Sequence, residues 1–144
     1  TAHDLTATTS NLTVIYTGTQ AGAITLPQST TSNVGLVIKV MFGADASGTA
    51  FKLGFANGGD TVMVGVVTLG SNAGSETVDG FRITTVSKSL QIDADEVAES
   101  CGGAIGSIYT FTYYGANAVF CEARGMCTTG TPAITAVVAS STGT

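Results

Sequence analysis

Tryptophan is absent, histidine occurs once, proline twice and cysteine three times. Charged residues are scarce as well, 10% of the chain against the roughly 25% usual for soluble domains. Each shortage excludes something. With His3 as the sole histidine and no Cys-x-x-Cys pair, the usual nitrogen and sulfur ligand set for zinc is missing. A Ser–His–Asp nucleophilic arrangement would have to recruit the same His3 from the end of the sequence, with no scaffold around it. The five basic residues, Lys39, Lys52, Arg82, Lys88 and Arg124, are scattered, and ten acidic ones leave a net charge of −5. Without a basic cluster to neutralise phosphates, nucleic acid is not expected as a partner. No run of eighteen apolar residues occurs, so no membrane-spanning helix and no membrane partner are expected. The first residues, Thr-Ala-His-Asp-Leu, lack the basic and apolar regions of a signal peptide, and synthesis in the cytoplasm is the expectation.

The carboxylates are dense in one place, Asp93, Asp95, Glu96 and Glu99. A calcium loop needs a glycine and a distant glutamate at fixed offsets, and neither is there, so the segment reads as a solvated acidic loop. Glycoside cleavage needs two acids facing across a cleft, and no pair stands out from its surroundings. Gly102-Gly103-Ala-Ile-Gly106 is glycine-rich but lacks the lysine and the following helix of a phosphate-cradling loop. Neither a catalytic site nor a metal nor a cofactor is therefore expected. Cys101, Cys121 and Cys127 read as buried free thiols acting as small hydrophobes. A Cys121–Cys127 link across a turn at Gly125 is the conceivable alternative.

What the chain does hold is β-sheet patterning, across 144 residues that suit one domain. Ala21 to Gly43 opens with a short strand closed by Pro27, which has no amide hydrogen to continue a ladder. A polar turn over residues 28–33 follows, then Val34, Leu36, Ile38, Val40 and Phe42 at period two, with Lys39 the one charge opposite them. Asn11–Thr17, Phe51–Phe55, Thr61–Leu69, Gly80–Ser87, Ser89–Asp93, Ile105–Tyr114, Ala118–Arg124 and Ala133–Ala139 read as further strands. Asn57-Gly-Gly-Asp60 and Gly115-Ala-Asn117 are turn signals. About nine to ten strands with turns every 8–12 residues predict an all-β fold: an antiparallel sandwich, jelly-roll-like, or a small barrel. Residues 1–10 have no periodicity and read as an N-terminal arm that orders on a partner; residues 11–144 form the β domain.

Two sets of residues are candidates for contacts. Val62, Val64 and Val66 lie on one side of a strand whose other side is also apolar, which places it between layers or against a neighbour. Tyr109, Phe111 and Tyr113 form an aromatic stripe, read as core or subunit interface rather than as a stacking platform.

The order of features resembles the head-decoration (cement) proteins of tailed double-stranded DNA phages. The residues concerned are Ala-Ile-Thr-Leu-Pro at 23–27, the glycine-containing apolar strand ending at Phe42-Gly43, the strand from Thr61, and the aromatic hairpin turning at Gly115-Ala-Asn117. The closing Gly130-Thr-Pro-Ala-Ile134 completes the set. Where many such proteins carry Gly-Asp-Trp and Asn-Trp, this chain reads Gly106-Ser107-Ile108 and Asn117-Ala118. The resemblance implies a non-enzymatic structural protein on the outer surface of a virion, bound to the major capsid protein and to copies of itself, as a trimer rather than a dimer. It would dock through an arm that includes Thr1, Ala2, His3, Asp4 and Leu5. Phage tail-fibre modules share the same small-residue style, so a receptor- or glycan-binding head is the alternative.

Overall fold

Period-two apolar patterning makes strands, and in this chain nearly every described segment is a strand. A computed structural model describes residues 3–18, 23–46, 51–71, 78–92, 102–128 and 138–140. In chain order the strands are β1 (His3–Asp4), β2 (Leu12–Tyr16), β3 (Ala23–Leu26), β4 (Val37–Phe42), β5 (Phe51–Phe55) and β6 (Val62–Ser71). Then follow β7 (Val78–Ser87), β8 (Ser89–Ile92), β9 (Ile108–Gly115), β10 (Ala118–Cys127) and β11 (Val138–Ser140). The described residues contain no α-helix, only a 3-10 turn at Thr31–Asn33. The all-β expectation holds.

The strands form two sheets, ordered β1-β3-β5-β8-β11 and β2-β4-β9-β10-β6-β7. One continuous core joins them: Ile24, Leu26, Leu53, Phe55 and Leu90 of the first face Ile38, Val40, Met63, Val67 and Phe111 of the second. Phe51 reaches across to Tyr16 and Phe42, with ring centroids 5.1 and 5.8 Å apart in edge-on geometry, a favoured arrangement for aromatic rings. The result is an open two-layer sandwich rather than a closed barrel.

The antiparallel expectation needs correcting. The pairs β1–β3, β3–β5, β2–β4 and β6–β10 are parallel; the other neighbours are antiparallel. From β1 to β6 the chain alternates between the sheets at every step. A strand in the opposite layer carries it back, so each return to a sheet runs in the same direction as the strand before. Parallel strands require such a crossover, which is usually a helix; here a strand supplies it. A turn signal in a sequence marks a change of direction but not whether the chain pairs with itself or changes layer. Asn57-Gly-Gly-Asp60 lies in the passage from β5 to β6, which changes layer, whereas Ala116–Asn117 closes the β9–β10 hairpin, with Asn117 at φ +59°.

The crossover from β3 to β4 is pinned to the end of that hairpin. The Pro27 carbonyl accepts from the Tyr113 hydroxyl at 2.8 Å. The Ser29 amide donates to Thr61 Oγ1 at 2.7 Å and its hydroxyl donates to the Gly115 carbonyl at 2.7 Å, while the Asn117 amide donates to the Ser29 carbonyl at 3.0 Å. Ser29 and Thr61 are buried, and these bonds satisfy groups that would otherwise destabilise the fold. Val34 sits in the turn after Asn33, half exposed, so the apolar face of β4 comprises Ile38, Val40 and Phe42, with buried Leu36 just before the strand.

Residues 3–5 do not project as an arm. His3 and Asp4 pair in parallel with Ile24 and Thr25 at the edge of the five-stranded sheet, and Leu5 is buried, its amide donating to the Thr25 carbonyl at 2.8 Å. A leucine that loses this much water contact packs on its own chain. As a capsid contact Leu5 is therefore corrected to a core residue. Thr1 and Ala2 lie outside the described residues.

Cys121 is a free, buried thiol, whereas Cys127 is disulfide-bonded. The conceivable Cys121–Cys127 link is overturned, because both lie on β10, where six residues of extended strand span about 20 Å and a disulfide bridges Cα atoms at most about 7 Å apart. Cys101 lies outside the described residues.

Burial also predicts an alkaline transition. Tyr109, whose hydroxyl donates to the Gly102 carbonyl at 2.9 Å, and Tyr113 have pKa values pushed well above the ordinary 10.0 by desolvation. Burial pushes Cys121 up from 9.0, with a smaller contribution from Glu122. In the unfolded chain these groups ionise near their ordinary values. Above those values the unfolded state holds fewer protons than the native state, so stability is intact at lower pH and falls as pH rises. Each pH unit above 10 removes about 1.4 kcal/mol per buried tyrosine. We expect tyrosinate absorbance from these rings to rise cooperatively and together with the loss of far-ultraviolet β-sheet dichroism. Ionisation of all four tyrosines that leaves the dichroism intact would contradict the burial of Tyr109 and Tyr113.

Candidate functional site

The expected aromatic stripe is core. Tyr109, Phe111 and Tyr113 are each at most 1% exposed and point between the sheets. The valines turn the other way. On β6 the inward residues are Met63, Gly65, Val67 and Leu69, so Val62, Val64 and Val66 stand on the outer face of the six-stranded sheet, with Val66 50% exposed. Both sides of β6 are apolar, and periodicity does not choose between them. Register does, by setting Met63 and Val67 beside the inward Val119 and Ala123 of β10.

The outer face is continued by neighbouring strands. Ala118 lies beside Val62 and Phe120 beside Val64, and Phe120 is 41% exposed. Val66 has Glu122 on one flank and Arg82 on the other. Val64, Val66 and Phe120, with Gly65, Ile83 and Arg82, line a groove of about 400 Å³. The register of β6 against β7 shifts between Met63 and Gly65. Such irregularities add local twist and redirect side chains.

Gly65 allows the close approach beneath this groove. Its φ is +155°, and a Cβ there would overlap the carbonyl oxygen of Cys121 on β10. Only glycine fits such a place. Sequence reasoning missed Gly65, Phe120 and Arg82. An isolated glycine between valines was the available signal for the first; nothing in the sequence marks the other two as neighbours of Val64 and Val66.

Elsewhere a groove of about 430 Å³ runs between residues 6–9 and 27–33, walled mostly by threonine, serine and amide side chains. A further cleft, about 290 Å³, lies between β2 and Ile24 of β3, and the described residues on its walls include neither an acid nor a histidine. Among the described residues no group of three or more His, Cys, Asp or Glu comes together. Asp93, Asp95, Glu96 and Glu99 lie outside the described residues. The Cys121 thiol is held protonated by burial, the opposite of what a nucleophile needs. Tyr114 is 55% exposed at the hairpin end of β9, and Ile15, Val34 and Ile105 are exposed apolar residues on other segments, a common pattern on folded proteins. No helix among the described residues is long and apolar enough to cross a membrane.

The arrangement on the six-stranded sheet offers an apolar surface for binding. A sandwich normally alternates apolar inward with polar outward residues, and here Val62, Val64, Val66 and Phe120 break that rule together on adjacent strands. No protein-family model, curated protein or solved structure matches this chain.

Proposed function

We propose that this chain is a non-enzymatic structural protein that decorates and stabilises a viral capsid from outside, bound to the major capsid protein and assembled with copies of itself. The observation that carries the reading is the apolar outer face formed by Val62, Val64, Val66 and Phe120. A contiguous exposed apolar face marks an interaction site, and the low charge of the chain suits a surface packed against other chains. The likeness of residues 23–43 and of the 108–127 hairpin to decoration proteins supplies the kind of partner. A protein that binds the assembled shell and not its free subunits stabilises the shell by linkage, and an oligomer touching several shell subunits gains effective concentration.

A second reading, a receptor- or glycan-binding head, is favoured by one observation: Tyr114 stands exposed next to the Ala116–Asn117 tip, where a ring can stack on a sugar. One experiment separates the two. Purified protein is mixed with empty, expanded heads assembled from the major capsid protein of the same genome and imaged by electron microscopy. Added density at local symmetry axes and a raised disruption temperature of the heads are expected. Bare heads, with binding to host cells that Tyr114→Ala abolishes, would establish the second reading instead.

A further inference from the structure

The six-stranded sheet concentrates on one face most of the positive charge of an acidic chain. Across neighbouring strands one row reads Lys39 on β4, Thr110 on β9, Glu122 on β10, Val66 on β6 and Arg82 on β7. Arg124 lies one row away, beside Ile108 and Thr68. Lys39, Arg82, Glu122 and Arg124 are all exposed; Lys39, Glu122 and Arg124 alternate with buried neighbours, and Arg82 is paired with the outward Val66, which places all four outward. None of the four makes an ion pair with another described residue. Three basic residues against one acidic give this face +2. The other described charged side chains, Asp4, Asp45 and Asp60 with Lys52 and Lys88, carry −1. From Lys39 to Arg82 is four inter-strand spacings, about 19 Å.

We infer that this face docks an acidic protein surface, and that its cations orient the chain on that partner. The inference rests on the proposed function in taking the partner to be the capsid shell. Charge complementarity selects the occupant. The excess of positive charge among its described side chains gives this face the sign that a negative surface attracts. A polyanion suits it less well: Lys39 and Arg82 are separated by Glu122 and Val66, whereas phosphate or sulfate chains are held by contiguous cations. Arginine and an aromatic ring around an apolar centre are the composition of a protein interface. Val64, Val66 and Phe120 supply that centre, and the charges form its rim.

A charge ladder at the face tests this with the heads used above. Glu122→Lys raises the face to +4, Arg82→Glu lowers it to 0, and Arg82→Glu with Arg124→Glu lowers it to −2. Lys52→Glu, on β5 in the other sheet, is the control. All four sites are on the surface, so unchanged thermal midpoints confirm that the variants fold. Affinity for the heads is expected to fall in the order Glu122→Lys, wild type, Arg82→Glu, double reversal, by about tenfold or more per step, with Lys52→Glu close to wild type. In ~1 M salt, where screening shortens to ~3 Å, the differences should collapse. A flat or inverted ladder, with wild type still occupying the heads, overturns this inference and leaves the decoration reading standing. Bare heads with every variant overturn both. Wild type retained on heparin in the same ladder order, with bare heads, would assign the face to a polyanion and overturn the protein partner.

Discussion

Gly65→Ala is expected to be among the most damaging single methyl additions in this protein. The new Cβ would overlap the Cys121 carbonyl oxygen, at a φ of +155° that alanine avoids. Two costs add. Overpacking a close-packed site costs about 1–3 kcal/mol, and holding a non-glycine residue in a sparsely populated backbone region costs about 1–3 kcal/mol more. The sum, about 2–6 kcal/mol, is a large part of the roughly 5–15 kcal/mol that holds a domain folded. β6 and β10 are parallel neighbours over ten paired residues, so relieving the clash means parting two strands within the sheet. Equilibrium urea unfolding checks this; a midpoint within error of wild type would show that the strands do not approach as described. Any variant that folds should also lose the groove shared by Val64, Val66 and Phe120.

The second large effect is directional. Phe111→Ala removes a fully buried ring that lies beside Ile38 on β4 and Cys121 on β10, and is expected to cost about 3–5 kcal/mol. Val66→Ala, half exposed on the opposite face, should stay within about 0.5 kcal/mol, as surface substitutions do. For a chain of this size each kcal/mol moves the thermal midpoint by about 2–8 °C, so calorimetry separates the two variants easily. Val66→Ala should instead weaken docking. Equal destabilisation by both would mean that the outer face is buried in the isolated protein.

The contrast between Phe111 and Val66 shows where the sequence is informative. The aromatic stripe of β9 lies opposite Thr110 and Thr112, and a strand with one apolar and one polar side has one way to face a core. That reading held. β6 has valines on one side and Met63, Val67 and Leu69 on the other, and its inward side follows from which residues of β10 it meets. Residues 3–5 depart from the arm reading for a related reason: two paired residues and one buried leucine are too short a signal to register as a strand. Of the candidate face, β6 was legible, but Phe120 and Arg82 join it only because β10 and β7 flank β6, a pairing that connects residues more than fifty positions apart in one case.

By itself, then, the sequence determined that the chain is built of strands, approximately where they run, and that its charge is too sparse and scattered to form a basic cluster along the chain. Those properties are local, because period-two alternation and turn chemistry act over a few residues. The tertiary structure alone decided that turns such as Asn57–Asp60 lie in passages that change layer, and hence that the sheets are mixed. It also decided that Lys39, Arg82 and Arg124, remote in sequence, share one face. Strand order joins segments at long range, and loop closure, side-chain packing and register choose it, none of which a short window of residues encodes.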